Sequence, residues 1–131
     1  SVEGSPFDFR EMKKIGDGIH CDNAQLKLGG TYDHNFVING DGLREAAVLQ
    51  SNESGIRLTC FTDQPGVQLY VPCYTLHQKG IDGKDYPPYS AVCLETQHYP
   101  NAINIEHFPS VVLKAGENFR SKTLYHFSVM G

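Results

Sequence analysis

Apolar and polar residues alternate with period two along much of the chain. In 56–62, IRLTCFT, Ile56, Leu58 and Cys60 alternate with Arg57 and Thr59, the signature of a half-buried strand. The run 67–71, VQLYV, sets Val67, Leu69 and Val71 against Gln68 and Tyr70, because successive strand side chains leave opposite faces. The segment 119–130, FRSKTLYHFSVM, places Phe119, Thr123, Tyr125, Phe127 and Val129 on one side and Arg120, Lys122 and His126 on the other, which predicts a C-terminal strand. Between these runs stand turn signals: Asn39-Gly40-Asp41-Gly42, Ser54-Gly55, Gln64-Pro65-Gly66, Asp82-Gly83, Tyr86-Pro87-Pro88 and Ala115-Gly116. Each supplies positive φ or a proline-set bend. Short strands with turns at this density predict an all-β fold, an antiparallel β-sandwich or barrel. Helix is expected only briefly, at 8–14 and at 102–106 after the Tyr99-Pro100 break. No internal repeat, low-complexity tract or linker is present, and 80–88, GIDGKDYPP, is the best candidate for a mobile surface loop.

Length and composition narrow the classes. A chain of 131 residues is long enough for one domain with its own core. No apolar run approaches the roughly 18 residues that a bilayer-spanning helix needs, so no membrane role is expected. With a net charge of -4 and a pI near 5.8, and no basic cluster interleaved with aromatics, there is no electrostatic footprint for a phosphate backbone. Nucleic acid is not an expected partner. The four cysteines, Cys21, Cys60, Cys73 and Cys93, contain no CxxC pair and read as buried thiols outside any disulfide. With no secretory hydrophobic segment in view, they suggest a reducing, cytoplasmic location. The chain opens SVEGSPFDF without Met, which raises the prospect of a piece of a longer protein.

Two places combine polar groups with strand pattern. In 91–102, AVCLETQHYPNA, Ala91, Cys93, Glu95 and Gln97 share one face and Val92, Leu94 and Thr96 the other. Were both faces covered, Glu95 would be a partly buried carboxylate with a pKa raised toward the general-base range. On an outer face it is a solvated acid. In 31–35, TYDHN, Asp33, His34 and Asn35 stand in a row before the apolar Phe36-Val37-Ile38. Such loop-to-strand junctions carry binding residues, or else Asp and Asn bond their own backbone at a strand start. Gln68, on the polar face of VQLYV, is a third candidate.

Ordered blocks carry a resemblance that these single features do not. YDHNFVI at 32–38, SGIRL at 54–58, TDQPGVQLY at 62–70, CLETQHYPNAIN at 93–104, FPSVVLKAGE at 108–117 and TLYHFS at 123–128 resemble, in order, the C-terminal part of the aldose 1-epimerases, the galactose mutarotases. SPFDFR at 5–10 is similar to the family's mid-chain segment. On this resemblance residues 1–131 form the C-terminal portion of a single β-sandwich domain of the galactose mutarotase supersandwich type.

The resemblance implies an isomerase that interconverts the α and β anomers of a monosaccharide such as galactose or glucose. It assigns Glu95, in LETQ, as the general base, and Asp33, in DHN, and Gln68, in PGVQ, as sugar-binding residues. No metal, nucleotide or redox cofactor is implied, because every step moves a proton between oxygens. Family members are well over twice this length, and their general acid is a His of the N-terminal half. None of the six histidines here lies in a block like that one, and His34 accompanies the Asp without serving as the acid. After Tyr70 the family continues with a small residue and Asn, whereas this chain has Val71-Pro72-Cys73-Tyr74, so the local cleft wall is expected to differ. Arg10, Arg44 and Arg57 are dispersed along the chain, which ranks a hexose 6-phosphate below an unphosphorylated sugar. The alternatives are a non-catalytic carbohydrate-binding β-sandwich module and a structural or regulatory sandwich with all three residues solvated. A sandwich cut in mid-sheet would leave open strand edges and an uncovered apolar face, so a companion chain with the missing half, or self-association, is expected.

Overall fold

A computed structural model describes residues 1–74 and 76–131, with the side chains of all of these but 76–78. Its strands are β1 (Asp33–Val37), β2 (Arg44–Gln50), β3 (Ile56–Thr62), β4 (Gly66–Tyr70), β5 (Leu76–Lys79), β6 (Asp85–Tyr86), β7 (Cys93–Gln97) and β8 (Thr123–Val129), with one short helix, α1 (Ala24–Gly29). They form sheets in the orders β1-β4-β7, β2-β3-β8 and β5-β6. By its contacts the chain divides into two compact units, Ser1–His34 with Leu69–Cys93, and Asn35–Gln68 with Leu94–Gly131.

The first unit is organised around Tyr32, whose side chain is fully buried. The rings of Phe7 and Phe9 meet Tyr32 edge-on at 5.6 and 5.3 Å, and its hydroxyl donates to the Pro6 carbonyl at 2.9 Å. Residues two apart reach the same target only in extended chain, and here the helix expected at 8–14 is absent. Local bonds compete with it as well. Asp8 accepts from the Arg10 N–H and, at 2.8 Å, from two nitrogens of the Arg10 guanidinium. Lys13 donates to the Pro6 carbonyl at 2.9 Å and lies 4.5 Å above the Phe9 ring.

Helix α1 forms elsewhere, at a place the periodicity did not mark. Asn23 caps it, its side-chain oxygen accepting from the N–H groups of Gln25 at 2.9 Å and Leu26 at 3.4 Å. Gly30 ends it at φ 71, a left-handed turn that a residue without Cβ adopts at no steric cost. Leu26 is its one buried side chain. Thr31 and the Val71 amide then stitch the chain together, the Thr31 hydroxyl donating to the Val71 carbonyl and Val71 N–H to the Tyr32 carbonyl, both at 2.9 Å. The stretch 80–88, expected as a mobile loop, is the turn of the β5–β6 hairpin, closed by Gly80 N–H on the Lys84 carbonyl at 2.7 Å, followed by β6 and an exposed Pro87-Pro88.

In the second unit β3 lies between antiparallel β2 and β8. Cys60 stands opposite Ala47 and Tyr125, and Leu58 opposite Leu49 and Phe127. Cα partners share a face, so the period-two residues of β3 and β8 form one surface. That surface is closed at one end, where Cys60 and Thr62 are fully buried, and open at the other, where Ile56, Phe127 and Val129 are 48%, 66% and 79% exposed. At the closed end Thr123 brings two hydroxyls together, Thr62 at 3.2 Å and Thr96 at 2.6 Å. The Tyr125 hydroxyl donates to the Leu94 carbonyl at 2.6 Å. The helix expected at 102–106 is a single 3-10 turn, Ala102–Asn104.

No disulfide joins the four cysteines, but only Cys60 is buried; Cys21 is exposed and Cys73 and Cys93 are half-buried. The expectation of uniformly buried thiols is corrected accordingly. Among the described residues no helix is long and apolar enough to cross a membrane.

Candidate functional site

Strand alternation sorts β7 into two chemically distinct faces. On one side Thr96 bonds the Thr123 hydroxyl of β8. Glu95 and Gln97 take the other side, with Glu95 exposed and Gln97 half-buried. The Gln97 amide reaches both Gln68 Oε1 of β4 and Asn35 Oδ1 of β1 at 3.4 Å. Three carboxamides thus gather on one surface beside the Glu95 carboxylate, all within the second unit. The strand is not covered on both sides, so the condition under which Glu95 would be a partly buried acid is not met in this chain. Its charge is nonetheless felt: the Tyr125 phenol is pushed up by burial first, and further by Cys60 and Glu95.

Gly66 makes the carboxamide cluster sterically possible. It is buried, and a Cβ at this position would drive into the Asn35 side-chain amide. The Ile38 N–H, donating to the Pro65 carbonyl at 3.0 Å, holds the chain beside this close approach. A cleft of about 680 Å³ in the same unit is bordered by Arg44, Gln64, His98, Tyr99 and Phe119. Neither Gln68 nor Glu95 is among its walls.

Asp33 belongs to the first unit, as the exposed first residue of β1. Its N–H donates to Nδ1 of the next side chain, His34, at 3.0 Å. His34 is half-buried against Phe7, with ring centroids 4.6 Å apart, and burial is the leading cause that pulls its pKa below the ordinary imidazole value. In the same unit Tyr70 donates to the Tyr74 hydroxyl at 2.7 Å. That bond, followed by burial, pushes the Tyr70 phenol up to about 12.

The sequence reading singled out Gln68 and Glu95, and the second unit holds both. It passed over Asn35 as a partner of Gln97 and missed the Tyr70–Tyr74 pair. The second of these carried no signal, because Tyr74 lies beyond the end of β4, where strand alternation no longer says which side chains meet.

An all-β chain of antiparallel sheets, with carboxamides and an acid displayed on one strand face, defines the class as a β-sandwich with an open polar surface. The aldose 1-epimerase family model matches residues 1–126, and the chain belongs to that family. Galactose mutarotase of Bos taurus is 40% identical over 133 residues, covering 98% of this chain and 37% of the bovine protein. Aldose 1-epimerase of Escherichia coli (strain K12) is 31% identical over 131 residues, covering 97% of this chain and 38% of its own length. The crystal structure of a GalM/aldose epimerase homologue from C. elegans matches with a TM-score of 0.83 at 29% identity, covering 100% of this chain and 39% of that one. The fold is therefore the antiparallel β-sandwich of the galactose mutarotase type. The chain spans little more than a third of the length of these relatives.

Proposed function

We propose that the whole protein is an aldose 1-epimerase interconverting the α and β anomers of a hexose such as galactose or glucose, with Glu95 as general base. The Glu95 carboxylate takes the proton of the C1 hydroxyl while an acid protonates the ring oxygen. The bond between C1 and the ring oxygen breaks and an open-chain aldehyde forms. Rotation about C1–C2 and the reverse transfers then close the ring on the other face. Asp33 and Gln68 bind sugar hydroxyls, for which carboxylate and amide groups suit because a sugar presents donors and acceptors together. The acid is a His of the N-terminal portion, outside residues 1–131, and no cofactor takes part.

The observation that carries this reading is the split of β7, with Thr96 tied to β8 and Glu95 and Gln97 presented on the opposite, open face beside Gln68. A base that must reach a bound sugar from a rigid strand needs that arrangement. The test is Glu95→Gln in the protein carrying the N-terminal portion, followed by polarimetry of freshly dissolved α-galactose. Loss of a general base is expected to slow anomerisation by about 100-fold or more while galactose binding persists. An unchanged rate would remove Glu95 from the chemistry.

We also propose that the open end of the β3–β8 surface is covered in the whole protein, by a companion chain with the remaining strands or by a second copy. The reading is supported by the exposure of Ile56, Phe127 and Val129 together at one end of the sheet, the latter two on the edge strand β8, an arrangement that invites strand pairing.

A further inference from the structure

The carboxamides beside Glu95 are joined in a fixed direction, and that direction bears on the sugar. In the order β1-β4-β7 the strand β4 stands in the middle, so Asn35 of β1 and Gln97 of β7 are two strand spacings apart, about 9.5 Å. Their side chains meet over Gly66 of β4, where an added Cβ would run into the Asn35 amide. Across this gap Gln97 Nε2 is 3.4 Å from both Asn35 Oδ1 and Gln68 Oε1. Both oxygens are acceptors, so each takes one of the two N–H bonds of the Gln97 amide, and the donor end of Gln97 is engaged inside the cluster. The acceptor end, Oε1, is the opposite corner of the same planar group. Among the described residues it accepts no hydrogen bond.

Gln97 follows Glu95 by two residues on the same face of β7, about 6.6 Å along the strand. Side chains at that spacing can lean onto adjoining groups of one hexose. C1 has two ring neighbours: the ring oxygen, which has no hydrogen to give, and C2, whose hydroxyl can donate. An acceptor beside the base therefore suits the C2 side and leaves the ring oxygen to the acid. We propose that Gln97 is a sugar-binding residue of this site: its Oε1, turned outward by Asn35 and Gln68, accepts the C2 hydroxyl of the aldose whose C1 hydroxyl proton Glu95 removes. The inference deepens the reading of Glu95 as base and rests on it. The site thereby selects aldoses with a free C2 hydroxyl. Held by two bonds already, the Gln97 amide loses little freedom when the sugar arrives, and a sugar without that hydroxyl leaves its oxygen without a donor.

The experiment is a ligand-observed NMR titration of the protein carrying the N-terminal portion with galactose, 2-deoxygalactose and 2-deoxy-2-fluorogalactose. Fluorine accepts weakly and cannot donate. The wild type is expected to bind both analogues about tenfold more weakly than galactose, the worth of one hydrogen bond. Gln97→Met, close to glutamine in length but without the acceptor, should bind galactose about tenfold more weakly and no longer distinguish the three sugars. Gln97→Glu keeps an acceptor and adds charge, so the gap between galactose and 2-deoxygalactose should widen. A wild type that binds the fluoro sugar as well as galactose would mean that the N–H end of the amide faces the sugar, and overturns the proposal. So does a tenfold gap that survives in Gln97→Met. Should that variant not fold, an unwidened gap in Gln97→Glu overturns it equally. Polarimetry of Glu95→Gln separates the two readings. An unchanged anomerisation rate, or a wild type that binds no galactose, removes the base reading and the proposal with it. A slowed rate, with all three sugars bound alike by the wild type, overturns the role of Gln97 alone.

Discussion

The Thr96 and Thr123 hydroxyls lie 2.6 Å apart, and Thr123 Oγ1 is 3.2 Å from Thr62 Oγ1. This run of three hydroxyls fastens the strand that carries Glu95 to β8 and β3 from behind. Thr123→Val preserves the shape but removes the central hydroxyl, leaving the fully buried Thr62 with one partner fewer. A loss of about 1–3 kcal/mol is expected, read as a lower urea midpoint at unchanged slope. An unaltered midpoint would mean that the hydroxyls do not anchor β7.

Gly66 and Asn35 compete for the same space once a side chain is added. Gly66→Ala should destabilise the protein by about 1–3 kcal/mol, the usual cost of overpacking, and should disturb the Gln97 amide bonded to Asn35. In an Asn35→Ala background the obstruction is gone and most of that penalty should vanish. A double-mutant cycle by denaturant unfolding checks the pair, and additive penalties would show that the clash lies elsewhere.

The phenol of Tyr70, pushed up to about 12 chiefly by its bond to Tyr74, should remain protonated well past pH 10, the ordinary tyrosine value. A folded-state pKa above the unfolded one means that the native state holds its proton longer. Its contribution to stability is complete below pH 10 and is lost as pH rises toward about 12. Absorbance titration at alkaline pH should show a late phenol that Tyr74→Phe brings back toward ten, distinct from Tyr32 and Tyr125, which burial also raises and which that substitution leaves in place.

The uncovered end of the β3–β8 surface should make the isolated chain associate with itself. Sedimentation of the wild type is expected to show species above the monomer, with Phe127→Lys and Val129→Lys shifting it toward monomer, since both side chains are largely exposed and β8 is an edge strand. A wild type that is monomeric at high concentration would count against the covered-face proposal.

Sequence periodicity sufficed for the strands whose own residues carry the pattern. IRLTCFT is β3 from end to end, VQLYV is β4 displaced by one residue, and the C-terminal run contains β8. Local pattern alone did not mark β2, REAAVLQ, which is rich in good helix formers. It is a strand because β3 pairs with it from Gln50 to Arg44 around a bulge near Glu45 and Ala47, a tertiary override of local propensity. The reverse happened at 8–14, where the aromatic contacts with Tyr32 hold the chain extended. Helix α1, by contrast, was legible in Asn23 before it and Gly29-Gly30 at its end, signals that periodicity does not weigh.

The sequence by itself determined the class of fold, the alternation that sets Glu95 and Gln97 on one face of β7, and the ordered blocks that mark the aldose 1-epimerase family. The side-chain period of a strand is a local property, so no distant residue is needed to know which groups share a face. Only the tertiary structure decided that the opposite face is tied down by Thr123, that Gly66 leaves room for Asn35, and that the imidazole of His34 accepts the Asp33 N–H. The first two join residues far apart in the chain, and the third depends on how α1 and Phe7 pack around the ring. Distances of this kind arise from packing, which no local pattern encodes.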